Sequence, residues 1–326
     1  MTPVCGRPLV LAVAAPVLAA CAAVQAPLLT YAVSLGLFGV PHVLVELRYV
    51  DRAFAPRLRR PLLVGVLVGV ALIALLRTVG VFGLGASTLR MQAELGVGAM
   101  LAALVALLAS HGVSRTSCSA ALAAAALGTG AILAPVATLV VLAFAHNLTP
   151  LGFLLDGLRG PARTPALLAA AVVFVVVPVA ILGGAFGAAA ELSAFDPQGP
   201  AGIGPLEQHL GVFVPPALLT EDIALDMFRA AAYLQCMHYA VVLHVLPRLA
   251  VDRPAGERVA PALLDRLGQG VPVTVLGAAA AAAFVLAFGE TRALYGVLAS
   301  VHAWVEIPIL LAALSFPRPD GEAAPA

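Results

Sequence analysis

The sequence predicts an all-α, polytopic transmembrane bundle of about ten spans with both termini cytoplasmic. Only 11% of the 326 residues are charged and 62% are hydrophobic, whereas about a quarter of a soluble domain is charged. Long apolar runs recur along the whole chain, and each can cross a hydrocarbon core of roughly 30 Å as a helix. Aromatic residues make up 6% of the chain and the runs do not alternate polar and apolar residues, which disfavours a β-barrel.

The expected spans follow one another along residues 1–326, which we predict to form a single integral membrane domain. The region 118–155 is compatible with two short helices broken near Pro135 or with one long kinked helix. The approximate limits of the spans are 8–25, 28–47, 61–77, 91–110, 118–133, 135–155, 165–188, 223–247, 270–288 and 293–315.

The arginines orient the bundle, because basic residues concentrate in cytoplasmic loops. The Arg-rich loops 48–60 and 248–269 are therefore expected in the cytoplasm, and the loop 189–222, which has acidic residues but no arginine, outside. Lysine is absent and Ala, Val, Leu and Gly are abundant, as is typical of a GC-rich bacterial genome, so we expect a bacterial inner (plasma) membrane. The net charge of +1 gives no indication of a nucleic-acid partner.

Five of the seven histidines fall inside expected spans, where ionisable side chains are costly and mark functional sites. With ~1.5 Å of rise per residue, His42 lies ~9 Å inside the membrane, and His146 and His238 each lie ~15 Å inside. Because neutral imidazole is the commonest metal ligand, this convergence favours a shared metal site. The five are His42, His146, His238, His244 and His302.

The other two histidines, His111 and His209, are expected at a helix end and in the external loop. A metal site predicts that the ligand nitrogens of the intramembrane set lie well within ~10 Å of one another, because each metal–ligand bond is near 2 Å.

Two histidines are each followed by a glutamate at i+4, on the same helix face. The pairs are His42–Glu46 and His302–Glu306. Each glutamate could bind the metal or hold its histidine in one tautomer. The predicted ligands are therefore His42, Glu46, His146, His238, His302 and Glu306, and the four histidines are also the predicted catalytic residues.

Supporting positions are predicted for two neighbours of that set. His238 and His244 are six residues apart, so they point ~120° apart and cannot easily share one ion. His244 is therefore assigned a supporting or a surface position. Asn147 follows His146 and precedes Pro150, which frees a backbone carbonyl one turn earlier and opens the helix beside the histidine.

Three segments, GVPHVLVE, FAHNLTPLGF and LQCMHYAVVLH, resemble the Brp/Blh group of membrane carotene dioxygenases. That group has a Gly-x-Pro-His motif in an early helix, a histidine in a middle helix and a His-rich motif in a late helix. The resemblance implies a polytopic fold, a non-haem iron held by histidines and O₂-dependent cleavage of β-carotene to retinal. It assigns His42 to the Pro-His position, and His146 and His238 to the middle and late ligands.

The predicted function is that of a membrane-embedded oxygenase with non-haem iron, mono- or dinuclear, acting with O₂ on a carotenoid, isoprenoid or acyl chain. A proton- or metal-coupled transporter is the second class, and it would place its His and Glu residues along one path rather than at one depth. A haem-binding electron carrier is the third, and it would need two facing histidines at equal depth, for which His146 and His238 qualify.

Overall fold

The computed structural model describes residues 6–109, 115–186, 202–250 and 261–315. Every regular element within those ranges is helical, which confirms the all-α class. The helices are α1 Gly6–Gln25, α2 Pro27–Ala53, α3 Arg60–Val81, α4 Ser87–Ala109, α5 Arg115–Leu133, α6 Pro135–Asn147, α7 Thr149–Gly157, α8 Arg163–Ala171, α9 Val177–Leu182, α10 Glu207–Leu210, α11 Ile223–His244, α12 Leu246–Ala250, α13 Pro261–Leu267, α14 Gly270–Leu286 and α15 Phe288–Ser315.

Each of the ten predicted apolar segments contains a helix. α6 and α7 share one segment, and α8 and α9 share another, joined by a π turn at Val172–Val176. By length and composition, six spans among the described residues are suited to crossing a membrane. They are Pro27–Ala53, Arg60–Val81, Ser87–Leu108, Pro135–Gly157, Arg163–Leu182 and Phe288–Ala313.

Two prolines divide the region 118–155. α5 ends at Leu133 and α6 begins at Pro135, with Ala134 between them at φ −154° and ψ 65°. Proline fits the first turn of a helix because it has no N–H to leave unpaired there. A second break separates α6 from α7 at Leu148, two residues before Pro150. The first break resolves the two alternatives in favour of separate helices.

The bundle has two main apolar cores. The first core is formed by α1, α2, α9 and α11 with aromatic residues such as Tyr31 and Phe228. The second is formed by α3, α4, α5 and α15 and includes Trp304. α6 packs against both, since Phe144 contacts the first core and Leu139 the second. The four helices α2, α6, α11 and α15 therefore meet where the two cores join.

A smaller aromatic core closes one end of that junction. It contains Tyr49, Phe54 and Phe153 together with Leu246 and Ile309. Beyond it lie the first Arg-rich loop and its partners.

In that region Asp265 accepts hydrogen bonds from Arg48 and Arg52, each at 3.0 Å. Residues of the two Arg-rich segments, 48–60 and 248–269, are thus tied to each other by charge-assisted hydrogen bonds.

His209 lies in the segment expected as an external loop, and the structure buries its ring. This histidine lies in the short helix α10 and is only 3% exposed. Its ring packs near Tyr31 and Phe288, its Nε2 donates to the carbonyl of Ile203 at 2.9 Å, and its Nδ1 accepts from Arg292 at 2.8 Å. A polar loop could bury the ring because both nitrogens keep partners. His111 lies outside the described residues.

Candidate metal centre

The six residues predicted as ligands lie together at the junction of the two cores. One ring nitrogen from each of the four histidines lies within 4.8 Å of the others, and ligand atoms of the two glutamates and one histidine form a second group of the same size. This geometry is what a shared site requires, and the role of the residues as ligands stays a prediction. His42 and Glu46 come from α2, His146 from α6, His238 from α11, and His302 and Glu306 from α15.

Three close contacts link these helices. His42 Nε2 lies 3.2 Å from His302 Nε2, and His238 Nε2 lies 3.2 Å from Glu46 Oε2. His146 Nδ1 lies 3.0 Å from Glu306 Oε2. Two atoms bound to one ion at about 2.0–2.1 Å lie roughly 2.8–3.4 Å apart in octahedral or tetrahedral geometry. The observed distances therefore match the edges of a coordination shell.

α2 presents His42 through a local departure from regular helix. Pro41 has no N–H to donate to the preceding turn, and its ring packs closely on α14, where a Cβ added to Gly277 would lie 2.7 Å from Pro41 Cγ. One residue further on, His42 Nδ1 donates to the carbonyl of Phe38 at 3.0 Å. That bond fixes the tautomer, so Nε2 is left with a free lone pair directed at the cluster.

The break between α6 and α7 positions His146. The hydroxyl of Thr149 donates to the carbonyl of His146 at 2.7 Å, and the amide of Asn147 donates to the carbonyl of Ala143 at 2.8 Å. The hydroxyl of Thr149 thus satisfies the carbonyl of His146, which lacks its usual i+4 donor because Pro150 has no N–H. Asn147, predicted to support the site, bonds its own helix in this way and is buried.

Burial separates the members of the cluster. The side chains of His238, Glu46, Glu306 and His302 are at most 2% exposed, while that of His146 is 15% exposed. His42 is also buried, and the ring of Tyr239 packs on it with a centroid separation of 4.0 Å. Tyr239 was not anticipated from the sequence, although it directly follows His238.

The charges of the cluster need a counterpart. Within the described residues, the ion-pair partners of both carboxylates are histidines. One oxygen of each carboxylate, Glu46 Oε1 and Glu306 Oε1, and two ring nitrogens, His238 Nδ1 and His302 Nδ1, have no hydrogen-bond partner in that part of the chain. Buried charges are costly unless paired or bound to a metal. A cation among these atoms would satisfy the lone pairs of both carboxylates.

His244, the remaining residue predicted near the site, lies apart from the cluster. His244, at the last residue of α11, is exposed, and it lines a separate cavity with Arg48 and Pro247. It therefore takes the surface position of the two predicted for it. The middle of α11 is buried around its whole circumference, as the consecutive buried residues 230–235 show, whereas His244 lies at the end of the helix.

Glu94, in α4, is a buried carboxylate that the sequence analysis did not single out. One of its oxygens accepts from the indole Nε1 of Trp304 at 2.8 Å and from Arg77 at 2.7 Å. Trp304 lies between His302 and Glu306 in sequence, so this pair is a polar neighbour of the candidate centre. The sequence separation of 210 residues leaves no local pattern that could have indicated the contact.

Comparisons with protein-family models, with curated proteins and with solved structures found no match for this chain.

Proposed function

We propose that this protein is a membrane-embedded non-haem iron oxygenase that acts on a lipid-soluble substrate with O₂. The observation that supports it best is the set of four imidazoles and two carboxylates buried at one point by four helices. Histidine and carboxylate ligands are typical of non-haem iron sites. The resemblance to the Brp/Blh carotene dioxygenases is a second argument, drawn from GVPHVLVE, FAHNLTPLGF and LQCMHYAVVLH.

Charge balance favours a divalent cation in the proposed site. Two ionised glutamates carry two negative charges into an apolar environment, and one divalent ion neutralises them while the imidazoles stay neutral. Glu46 and Glu306 would be among the residues that hold the iron, and we propose the iron site as mono- or dinuclear. Iron bound here would supply the activation of O₂ that oxidation of a hydrocarbon requires.

The chain's own residues do the remaining work in this proposal. His42, His238 and His302 hold the ion from the buried side, with the carbonyl of Phe38 fixing the ring of His42. Tyr239 covers that ring, and the surrounding apolar cores keep water from the site. His146 is the ligand with an exposed edge, so substrate is expected to approach from its side.

The geometry argues against the haem alternative. The ring centroids of His146 and His238 lie only 4.6 Å apart, and the rings of His42 and His302 fill the space beside them. Two axial histidines with iron bonds of about 2 Å hold a flat porphyrin between them, and these four rings leave no slot for one. For the transporter alternative, the residues would have to follow a path, and those described here cluster instead.

The finer topology is part of the same proposal. Ten spans would place both termini and the loops 48–60 and 248–269 in the cytoplasm and the loop 189–222 outside, in a bacterial inner membrane. The clustering of arginines supports this arrangement. Labelling of single cysteines introduced at the exposed residues Arg60 and Glu221, in intact cells and in lysed cells, tests it: only Glu221→Cys should react in intact cells.

Metal analysis with an absorption spectrum tests the function. Purified protein should contain one or two iron atoms per chain without a Soret band, and His302→Ala should lose the iron while His244→Ala keeps it. A lipid extract incubated with the iron-loaded protein should consume O₂. A Soret band would support the haem class, and metal-free protein with proton or metal flux in vesicles would support a transporter.

A further inference from the structure

Two adjoining cavities lead from one end of the bundle to the candidate metal centre. The inner cavity has a volume of about 440 Å³ and the outer one about 420 Å³. Arg77, Met91, Glu94 and Gly296 line both, so the two volumes meet at these side chains. Together they form a passage from the α3–α4 turn toward His146.

The inner cavity is an apolar chamber. Its walls are aliphatic residues of α6 and α15, and His146 and Trp304 lie in the wall. Along α6 the lining runs from Val136 to His146, which corresponds to a length of about 15 Å. That length and the volume of about 440 Å³ suit a single acyl or isoprenoid chain.

The outer cavity is positively charged. Its lining contains Arg77, Arg90 and Arg292 against the single carboxylate of Glu94, three positive charges against one negative. Arg77 pairs with Glu94, so the excess charge belongs to Arg90 and Arg292. Arg90 donates to two carbonyls of the α3–α4 turn and Arg292 to His209, which hold both groups at the rim while each guanidinium has further donors.

We infer that the substrate is an amphiphile with one apolar chain and an anionic oxygen head group, a carboxylate or a phosphate. The head group binds Arg90 and Arg292 in the outer cavity, and the chain lies in the inner chamber with part of its length beside His146. Charge-assisted hydrogen bonds from guanidinium to such oxygens are short and roughly twice as strong as neutral ones. This inference rests on the proposed function for the reaction, and it selects a charged acyl or isoprenoid substrate over a neutral carotenoid.

The single tryptophan of the chain, Trp304, lies in the chamber wall and offers a direct test. Bromine atoms on a bound chain quench indole fluorescence at contact. Dibromostearate is the carboxylate probe and dibrominated lysophosphatidate is the phosphate probe. The methyl ester of dibromostearate is the neutral control. Protein in detergent micelles is titrated with each. The acid or the phosphate should quench saturably. The half-saturating concentration of the ester should be at least about tenfold higher, as expected for the loss of charge-assisted hydrogen bonds.

Variants then separate the rim from the chamber. Arg90→Gln and Arg292→Gln should each raise the half-saturating concentration about tenfold, while the exposed and distant Arg163→Gln should leave it unchanged. Ala299→Phe, which fills the chamber wall, should abolish the saturable quenching. Which of the two charged probes binds more tightly identifies the head group.

The outcomes also keep this inference distinct from the proposed function. The titration needs no metal, so metal-stripped protein should give the same quenching curve. Saturable quenching in a protein that never binds iron would uphold the amphiphile site and overturn the iron enzyme. Equal quenching by acid, phosphate and ester with no effect of Arg90→Gln or Arg292→Gln, or no saturable quenching at all, would overturn the amphiphile site even in an iron-loaded protein.

Discussion

The candidate centre consists of two similar halves that differ in their access to the surface. In the first, α2 supplies His42 and Glu46, and Glu46 contacts His238 of α11 at 3.2 Å. In the second, α15 supplies an i, i+4 pair of the same kind, whose glutamate contacts the histidine of α6 at 3.0 Å. The first histidines of the two pairs touch each other at 3.2 Å.

The difference lies in what covers each half. The closed half, formed by His42, Glu46 and His238, is sealed by Tyr239. The open half, formed by His146, His302 and Glu306, borders the apolar chamber through the edge of the His146 ring. Under the proposed function, the closed half would hold the ion together with His302, and His146 of the open half would border the substrate.

Replacing His238 or His146, the histidines that contact the two glutamates, by alanine should give the largest difference in stability between the two halves. His238→Ala leaves the carboxylate of Glu46 buried without its partner, which should destabilise the protein by about 3–5 kcal/mol. His146→Ala opens onto the chamber, where water can replace the imidazole, so its destabilisation should be clearly smaller. Thermal unfolding in detergent and iron content measure both effects, with His244→Ala as the exposed control. Equal losses of stability would show that the halves do not differ in access.

Replacing each carboxylate by an amide should have the next largest effect. Glu46→Gln and Glu306→Gln keep the side-chain volume but remove the charge, and either should weaken iron binding by at least about 10–100-fold, the range for residues that only orient ligands. Competition with a chelator measures the affinity, and Glu290→Gln on the exposed start of α15 is the control. We expect the greater loss of iron affinity for Glu46→Gln, because Glu46 lies in the closed half. A greater loss for Glu306→Gln would show that the open half binds the iron more tightly.

A single glycine should perturb the open half alone. A Cβ on Gly98 would lie 2.1 Å from the Trp304 ring, whereas a Cβ on Gly96, in the same helix α4, meets nothing within 4 Å. Gly98→Ala should therefore displace Trp304 and destabilise the protein by about 1–3 kcal/mol. Gly96→Ala should be neutral or slightly stabilising because alanine favours helix. Unfolding midpoints and the emission wavelength of Trp304 compare the two variants, and an unshifted emission in Gly98→Ala would contradict the contact.

Much of the fold followed from the sequence because the membrane limits the choices. Apolar runs must form helices where backbone groups lack water, and a helix is present in each predicted segment. The break at Pro135 and the interruption beside His146 followed from proline chemistry. The six candidate ligands could be named together because polar groups in apolar spans have few other reasons to occur.

The contacts that the sequence did not predict depend on how the helices are rotated relative to each other. Glu94 is satisfied by Trp304 across 210 residues, and His209 by Arg292 across 83. A residue near a helix end has the same sequence signature whether it faces solvent or a neighbouring helix. Tyr239 was missed for a related reason, since its ring is adjacent to His42 only because α11 and α2 cross at that level.

The smallest predicted effect concerns the loop that borders the open half. Gly211 and Val212 of this loop line the chamber, and His209 anchors them. Burial lowers the pKa of His209 below its usual 6.5, the hydrogen bond to Ile203 opposes this and the charge of Arg292 adds to it. The unfolded chain then binds more protons as the pH falls below 6.5, so the stability contributed by neutral His209 is present above that pH and is lost on acidification.

The variant His209→Gln isolates this contribution. Its amide can still accept from Arg292 but does not titrate. Between about pH 7.5 and about pH 5.5, the unfolding midpoint of the native protein should therefore fall relative to that of the variant. A difference in midpoint that does not change with pH would show that protonation of His209 leaves the loop in place, and the chamber of the open half would then be closed by the apolar contacts of the loop alone.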